Sequence, residues 1–254
     1  LVLVARRAAL LAELGARVES QHGVKVHCLP GDLASADFVQ ELGYFCSGLD
    51  LGTLVYNAAF APVGDLASAA AEELAEVVQV NVSAPLLLTR ALLPHLLERG
   101  RGAVILMTSL AGNQGSSYIA AYAASKAFNR VLAESLWQEC RSRRVDVLAC
   151  CAGAVRTPGY AVTAAKRAPG TLDPDEVVEA ALSALGRRPV VIPGAVNKIA
   201  AFVMRRVLPL RSSITLMARS TRELGSVPAG SAPGQGGRTP PVSEASSNQR
   251  KEGS

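Results

Sequence analysis

The chain is poor in the residues that metal centres, disulfide frameworks and aromatic platforms are built from. It has three His, five Cys and 4% aromatic residues. His22, His27 and His95 give no cluster from which a His-based metal centre or a His-containing triad would be built, so neither is expected and no metal site is assigned. Cys28, Cys46, Cys140, Cys150 and Cys151 are odd in number and show no CxxC spacing. That excludes a disulfide framework and a zinc site, and reads as reduced thiols in a cytoplasmic protein. No uninterrupted apolar run reaches the roughly 18 residues that suggest a membrane-spanning helix. Also missing are an initiator Met, a charged n-region and a signal-peptide cleavage pattern, since strand-like residues open the chain at Leu1. The natural N-terminus is therefore expected to lie upstream.

What is present is a chain of 254 residues, 49% hydrophobic and 19% charged. That length and composition suit one large α/β domain or two small ones and exclude a wholly disordered chain. The net charge of +5 is unevenly placed: residues 197–254 carry nine Lys or Arg against three Glu, leaving residues 1–196 at −1. A neutral main domain argues against nucleic-acid binding, and only the C-terminal part is basic.

Apolar, β-branched runs at 1–5, 24–29, 51–57, 103–108, 145–151 and 190–192 alternate with helical patterns at 7–22, 35–45, 72–80, 84–99, 118–141 and 174–185. Short apolar strands between helices indicate a parallel sheet covered on both faces, and the right-handed crossover rule makes it doubly wound. Asp173 before Pro174 reads as the N-cap of the last of these helices. The expected organisation is a catalytic domain over 1–196, a basic amphipathic helical extension over 197–225, and a disordered tail rich in Ser, Gly and Pro over 226–254.

The most specific chemical signal is Tyr122-Ala-Ala-Ser-Lys126 in an Ala-rich helical stretch. Residues four apart share a helix face, so the ammonium can act on the phenol and draw its pKa down from near 10. Ser109 ends the strand-like run 103–108, at the end of the sheet where open α/β folds hold ligands. Asn57-Ala58-Ala59 ends an earlier strand, and Asn81 lies where one helix passes to the next. Singly, each of these residues has an ordinary role in a core, a turn or a cap.

Together, and in this order, they resemble the short-chain dehydrogenase/reductase family from Leu1 to about Gly225, as does Cys151-Ala-Gly-Ala-Val-Arg-Thr157. The resemblance implies a Rossmann-like fold with NADP(H) as cofactor. In it Tyr122 is the general acid or base, and Lys126 lowers its pKa and bonds the nicotinamide ribose. Ser109 orients the substrate oxygen, and Asn81 supports a proton relay. Cofactor contacts are implied for Arg6, Asp32, Leu33, Asn57, Ala58, Ala59, Tyr122, Lys126, Gly153, Val155 and Thr157. Arg6 follows the strand that matches the family's second, after which NAD-binding members carry a carboxylate, and it suits the 2′-phosphate of NADP.

Three departures stand out. Ala59 replaces a usual Gly, Ala152 replaces a usual Pro, and the family's first strand with its TGxxxGxG turn has no counterpart, since Leu1–Ala5 matches the second strand. The sheet is therefore expected to lack that strand and to bind cofactor poorly.

The segment after Thr157, residues 158–171, aligns with the family's substrate loop and holds Tyr160, Lys166 and Arg167. The stretch 194–209 looks like the ketoacyl-reductase-like branch, which implies a ketone, secondary alcohol or ketoacyl substrate of lipid-like character. Its Ile199, Phe202, Val203 and Val207 at helical spacing, beside Lys198, Arg205 and Arg206, allow peripheral membrane contact. A homo-oligomer formed through the helices at 84–99 and 118–141 is expected. The competing reading is a non-catalytic, membrane-peripheral protein on a degenerate version of the same fold.

Overall fold

The computed structural model of this chain describes residues 1–157 and 168–225. The expected tail and most of the expected substrate loop, with Tyr160, Lys166 and Arg167, lie outside the described residues. Strands and helices alternate as β1 (Val2–Ala5), α1 (Ala8–His22), β2 (His27–Pro30), α2 (Ala36–Ser47) and β3 (Thr53–Tyr56). Next come α3 (Ala71–Val78), α4 (Ala84–Arg99), β4 (Gly102–Ser109), α5 (Ala120–Cys140) and β5 (Val145–Ala152). The chain continues with α6 (Pro174–Ala184), β6 (Val190–Val191), α7 (Ala195–Phe202) and α8 (Leu210–Gly225). Pro174 opens α6 behind a capping box in which the Glu176 carboxylate accepts from the Asp173 amide at 2.8 Å.

All strand pairings are parallel, but the strands form two sheets. β1 pairs with β2, and β3, β4, β5 and β6 pair in that order. Both sheets border one core, because Val2, Val4 and Leu29 pack against the cluster that contains Tyr56, Val104, Leu106 and Val147. β1 and β3 therefore each keep an edge with no strand beside it among the described residues.

Alternation along the central strands sends side chains to opposite faces. Val104 and Leu106 of β4, with Val147 and Ala149 of β5, meet Leu88, Leu92 and Leu96 of α4 and Leu136 of α5. Ile105, Leu148 and Cys150 point the other way, to Val177 and Ala181 of α6. Nothing described covers that second face at β3, where Val55 is 56% exposed.

The expected break between the helices at 72–80 and 84–99 is absent. α3 runs into α4 through a π-turn at Gln79–Ser83. Pro85, at the start of α4, has no N–H to offer the Asn81 carbonyl one helical turn back. The Asn129 side-chain amide supplies that donor at 2.8 Å. A widened turn with a side-chain partner thus replaces the break. The continuous helix Ala71–Arg99 contains an 18-residue window of mean hydropathy 1.3, more apolar than the run-length reading allowed. Its buried Ala84, Leu88, Leu92 and Leu96 make it a helix of the core.

Candidate active site

The site starts from the end of β4. Ser109 is its last residue, and its hydroxyl accepts from the Ala111 amide at 3.2 Å as a short 3₁₀ turn begins at Leu110. Glycine is required at 112, because a Cβ there would sit 2.7 Å from the Ala127 nitrogen. This contact lets the loop after β4 lie directly on α5. Tyr118, with φ 63, turns the chain into that helix.

α5 then presents Tyr122 in its first turn and Lys126 in its second. The Ser109 side chain lies close enough to the Tyr122 phenol to favour its charged form. The Lys126 ammonium lies 5.7 Å from the centre of the Tyr122 ring and donates to the Met107 carbonyl on β4 at 2.9 Å. Three residues separated by up to seventeen positions thus meet at the C-terminal end of the central strands.

The electrostatics differ from the expectation. Burial pushes the Tyr122 phenol above its ordinary value, and the Ser109 side chain opposes the rise. The opposing group is the serine, not the lysine. Lys126 is only 3% exposed, and burial lowers its pKa to about 8. The cost of desolvating both groups outweighs the stabilisation each charged form would draw from the other.

Asn81 is fully buried, and both donors of its side chain are used. Its Oδ1 accepts from the Phe60 amide at 2.8 Å, while its Nδ2 donates to the Phe60 carbonyl at 2.7 Å and to Ser125 Oγ at 3.1 Å. Ser125 in turn donates to the Tyr122 carbonyl at 2.7 Å. The asparagine therefore ties the segment after Asn57-Ala58-Ala59 to the turn of α5 that carries the tyrosine. Its side chain has no donor left for a relay.

The residues expected to contact cofactor lie along the same strand ends, with several already engaged. Arg6, just past β1, forms an ion pair with Glu76 of α3 at 3.6 Å. No carboxylate follows β1 in sequence, so this partner was invisible until α3 packed beside it. Asp32 Oδ1 accepts from the Ala34 amide at 3.0 Å, making a local turn before α2, and Leu33 packs on the core. Asn57 and Ala59 are exposed, and Ala58 rests on the core cluster.

Past β5, Val155 bridges to Leu172 in parallel, and Thr157 closes the first described segment. The space beside Gly153 is taken by Asn197 of α7, which a Cβ at 153 would meet at 2.9 Å. Asn197, which the sequence reading left without a role, donates to the carbonyls of Gly170 at 3.0 Å and Pro193 at 3.1 Å. Also unforeseen are the Gln114 amide and the Ser116 hydroxyl in the loop after Ser109, buried with no hydrogen-bond partner among the described residues. Polar groups left so are the kind that a bound ligand satisfies.

Comparison with known proteins agrees with this fold. The family model described as short chain dehydrogenase matches residues 1–168. The 7beta-hydroxysteroid dehydrogenase of Clostridium sardiniense is 28% identical over 78% of this chain and 77% of its own length. The very-long-chain 3-oxoacyl-CoA reductase of Laccaria bicolor is 33% identical over 57% of this chain but only 44% of its own length. The chain thus spans about half of that longer relative. A solved 7beta-hydroxysteroid dehydrogenase structure superposes with a TM-score of 0.80, at 27% identity and 85% coverage of both chains. A short-chain dehydrogenase from Sphingobium yanoikuyae in complex with NADPH gives 0.69, at 28% identity and 76% coverage of both. With a parallel sheet flanked by helices and the family match extending over two-thirds of its residues, the chain belongs to the short-chain dehydrogenases, a family of oxidoreductase enzymes.

Proposed function

We propose that the chain interconverts a ketone and a secondary alcohol with NADP(H), with Tyr122 moving the proton at the substrate oxygen. The observation that carries this reading is the meeting of Ser109, Tyr122 and Lys126 at the end of β4, with the serine near enough to act on the phenol and the ammonium 5.7 Å from the centre of its ring. In the reductive direction Tyr122 Oη donates to the carbonyl oxygen while Ser109 Oγ holds that oxygen beside it. In the oxidative direction the same phenol takes the alcohol proton. A raised phenol pKa keeps the proton on Tyr122 at neutral pH, ready for the reductive direction.

The nicotinamide end of a cofactor fits the residues present. Lys126 spends one of its three N–H donors on the Met107 carbonyl, which leaves two for ribose hydroxyls. Asn57, Ala58 and Ala59 border the same strand ends, and Arg6 suits a 2′-phosphate once released from Glu76. When bound, the nicotinamide supplies or accepts the hydride. No glycine-rich strand-to-helix turn for the pyrophosphate occurs among the described residues.

The substrate reading is a sizeable apolar carbonyl compound, of ketoacyl or steroid-like bulk. It is supported by relatives named for hydroxysteroids and long acyl chains. A second copy of the chain would cover the apolar groove of about 320 Å³ between α4 and α5, lined by Leu86, Thr89, Leu93, Leu132 and Leu136. The Thr89 hydroxyl there is buried without a hydrogen-bond partner among the described residues.

Tyr122→Phe tests the reading. Ketone reduction with NADPH is expected to fall by roughly 10²- to 10⁴-fold while cofactor binding survives. Near wild-type turnover in that variant would move the proton to another group and overturn the assignment.

A further inference from the structure

We infer that α7 and the start of α8 form a docking surface for an anionic phospholipid bilayer. The inference goes beyond the reductase reading and does not depend on it.

Five large apolar side chains in this region face solvent: Val196 at 54%, Ile199 at 65%, Phe202 at 62%, Val207 at 61% and Leu210 at 66% exposed. The first three recur at intervals of three along α7 and its continuation, so they share one side of the helix. Such a density of exposed hydrophobes within fifteen residues is not scattered surface leucine; it is a patch.

Their surroundings are of one sign. Lys198, Arg205, Arg206, Arg211 and Arg219 of the same segment are exposed, and no Asp or Glu occurs from 195 to 222. Apolar side chains interleaved with unpaired-sign cations match a membrane interface, where the hydrophobes enter the acyl boundary and the cations meet lipid phosphates.

A second copy of this chain is the poorer occupant. A two-fold contact would set the patch against itself and bring cations against cations with no carboxylate in the segment to neutralise them.

The surface is anchored to the site end of the molecule. Asn197, buried beneath the exposed side of α7, holds that helix to Pro193 and Gly170. Gly115, in the loop after Ser109, lies beside Ile214 of α8, which a Cβ built at 115 would meet at 3.9 Å. A bilayer bound to α7 and α8 would therefore lie beside the end of β4 that carries Ser109 and the first turn of α5 that carries Tyr122.

The test is partition of the full chain onto mixed phosphatidylglycerol–phosphatidylcholine vesicles and onto pure phosphatidylcholine vesicles, read by co-sedimentation at low and high ionic strength. Binding is expected on the anionic vesicles, weakened by salt and at least tenfold poorer on the neutral ones. Lys198→Gln/Arg206→Gln/Arg211→Gln, all at exposed positions, should lower the anionic partition coefficient on the order of 10²-fold. Ile199→Asp/Phe202→Asp should abolish it, with circular dichroism showing the fold kept in both variants. The proposal is overturned if the chain ignores anionic vesicles or if both variants bind as the parent does. It is equally overturned if Ile199→Asp/Phe202→Asp changes the sedimentation mass of the free protein, which would make the patch an interface between copies.

Discussion

At the scale of single residues, burial governs the chemistry of the site. Lys126 is held with a pKa near 8 against an ordinary value of 10.5, because the ammonium must give up water and gains only the Met107 carbonyl and the Tyr122 ring. The unfolded chain therefore binds the extra proton over the window between these values, and the Lys126 contribution to stability rises as pH climbs from about 8 toward 10.5, against the buried thiols and phenols, whose raised pKa values lower stability in the same range. Below pH 8 both states are protonated and the burial cost is present in full. Lys126→Met should remove this rise, on the order of 2–3 kcal/mol across the window, in denaturant melts of both proteins at matched pH values. Identical pH profiles would mean that the lysine is not desolvated as described.

Arg6 makes the opposite case, of a residue whose expected ligand competes with a partner from elsewhere in the chain. Its pair with Glu76 is half exposed on the arginine side, so the pair holds it weakly. Glu76→Gln should tighten NADPH binding by up to about fivefold without changing NADH binding, and Arg6→Ala should weaken NADPH far more than NADH. Titration calorimetry with both cofactors decides this. Equal shifts for the two would place the 2′-phosphate away from Arg6.

At the scale of elements, positioning comes from small residues that admit a neighbour. Gly112 brings the loop after β4 onto α5, and Gly153 admits Asn197 from α7. Gly153 sits where the sequence resemblance directs attention to the cofactor, but here both glycines serve contact between elements of the chain itself. A Cβ at 153 would meet the Asn197 carboxamide below 3.0 Å, and that side chain has two hydrogen bonds to lose. Gly153→Ala is expected to cost about 1–3 kcal/mol and to loosen the segment around Gly170. Gly153→Ala combined with Asn197→Ala should cost less than the sum of the two single changes, because the clash needs both side chains. Additive losses in thermal or denaturant melts would show that the contact is unimportant.

At the scale of the whole molecule, the split of the sheet sets a gradient of stability. β4 has strands on both sides and buried residues on both faces, whereas β1 and β2 form a two-stranded sheet alone and β3 keeps one bare edge and a bare face at Val55. Two-stranded sheets are marginal by themselves and open below the global limit. Hydrogen exchange should therefore show the amides of β1, β2 and the free edge of β3 exchanging well ahead of those in β4 and β5. Uniform protection across all strands would mean that the two sheets open as one unit. A parallel strand supplied beside β1 and β3 should raise protection on both edges together.

Much of this was legible in the sequence because it rests on local periodicity. Apolar strands alternating with amphipathic helices fix a parallel, two-faced sheet, and the spacing of four between Tyr122 and Lys126 puts both on one turn-to-turn face whatever surrounds them. Ser109 could be placed at a strand end from the same pattern. The rest depended on pairs distant in sequence. The Arg6–Glu76 ion pair, the Asn129 donor to the Asn81 carbonyl and the Asn197 plug beside Gly153 join residues separated by 44 to 70 positions. No periodicity records which of them will meet. The protonation behaviour of the site was decided there too: charge proximity along α5 is a local property, but the desolvation that outweighs it exists only once β4, the loop after it and α5 have closed over Tyr122 and Lys126.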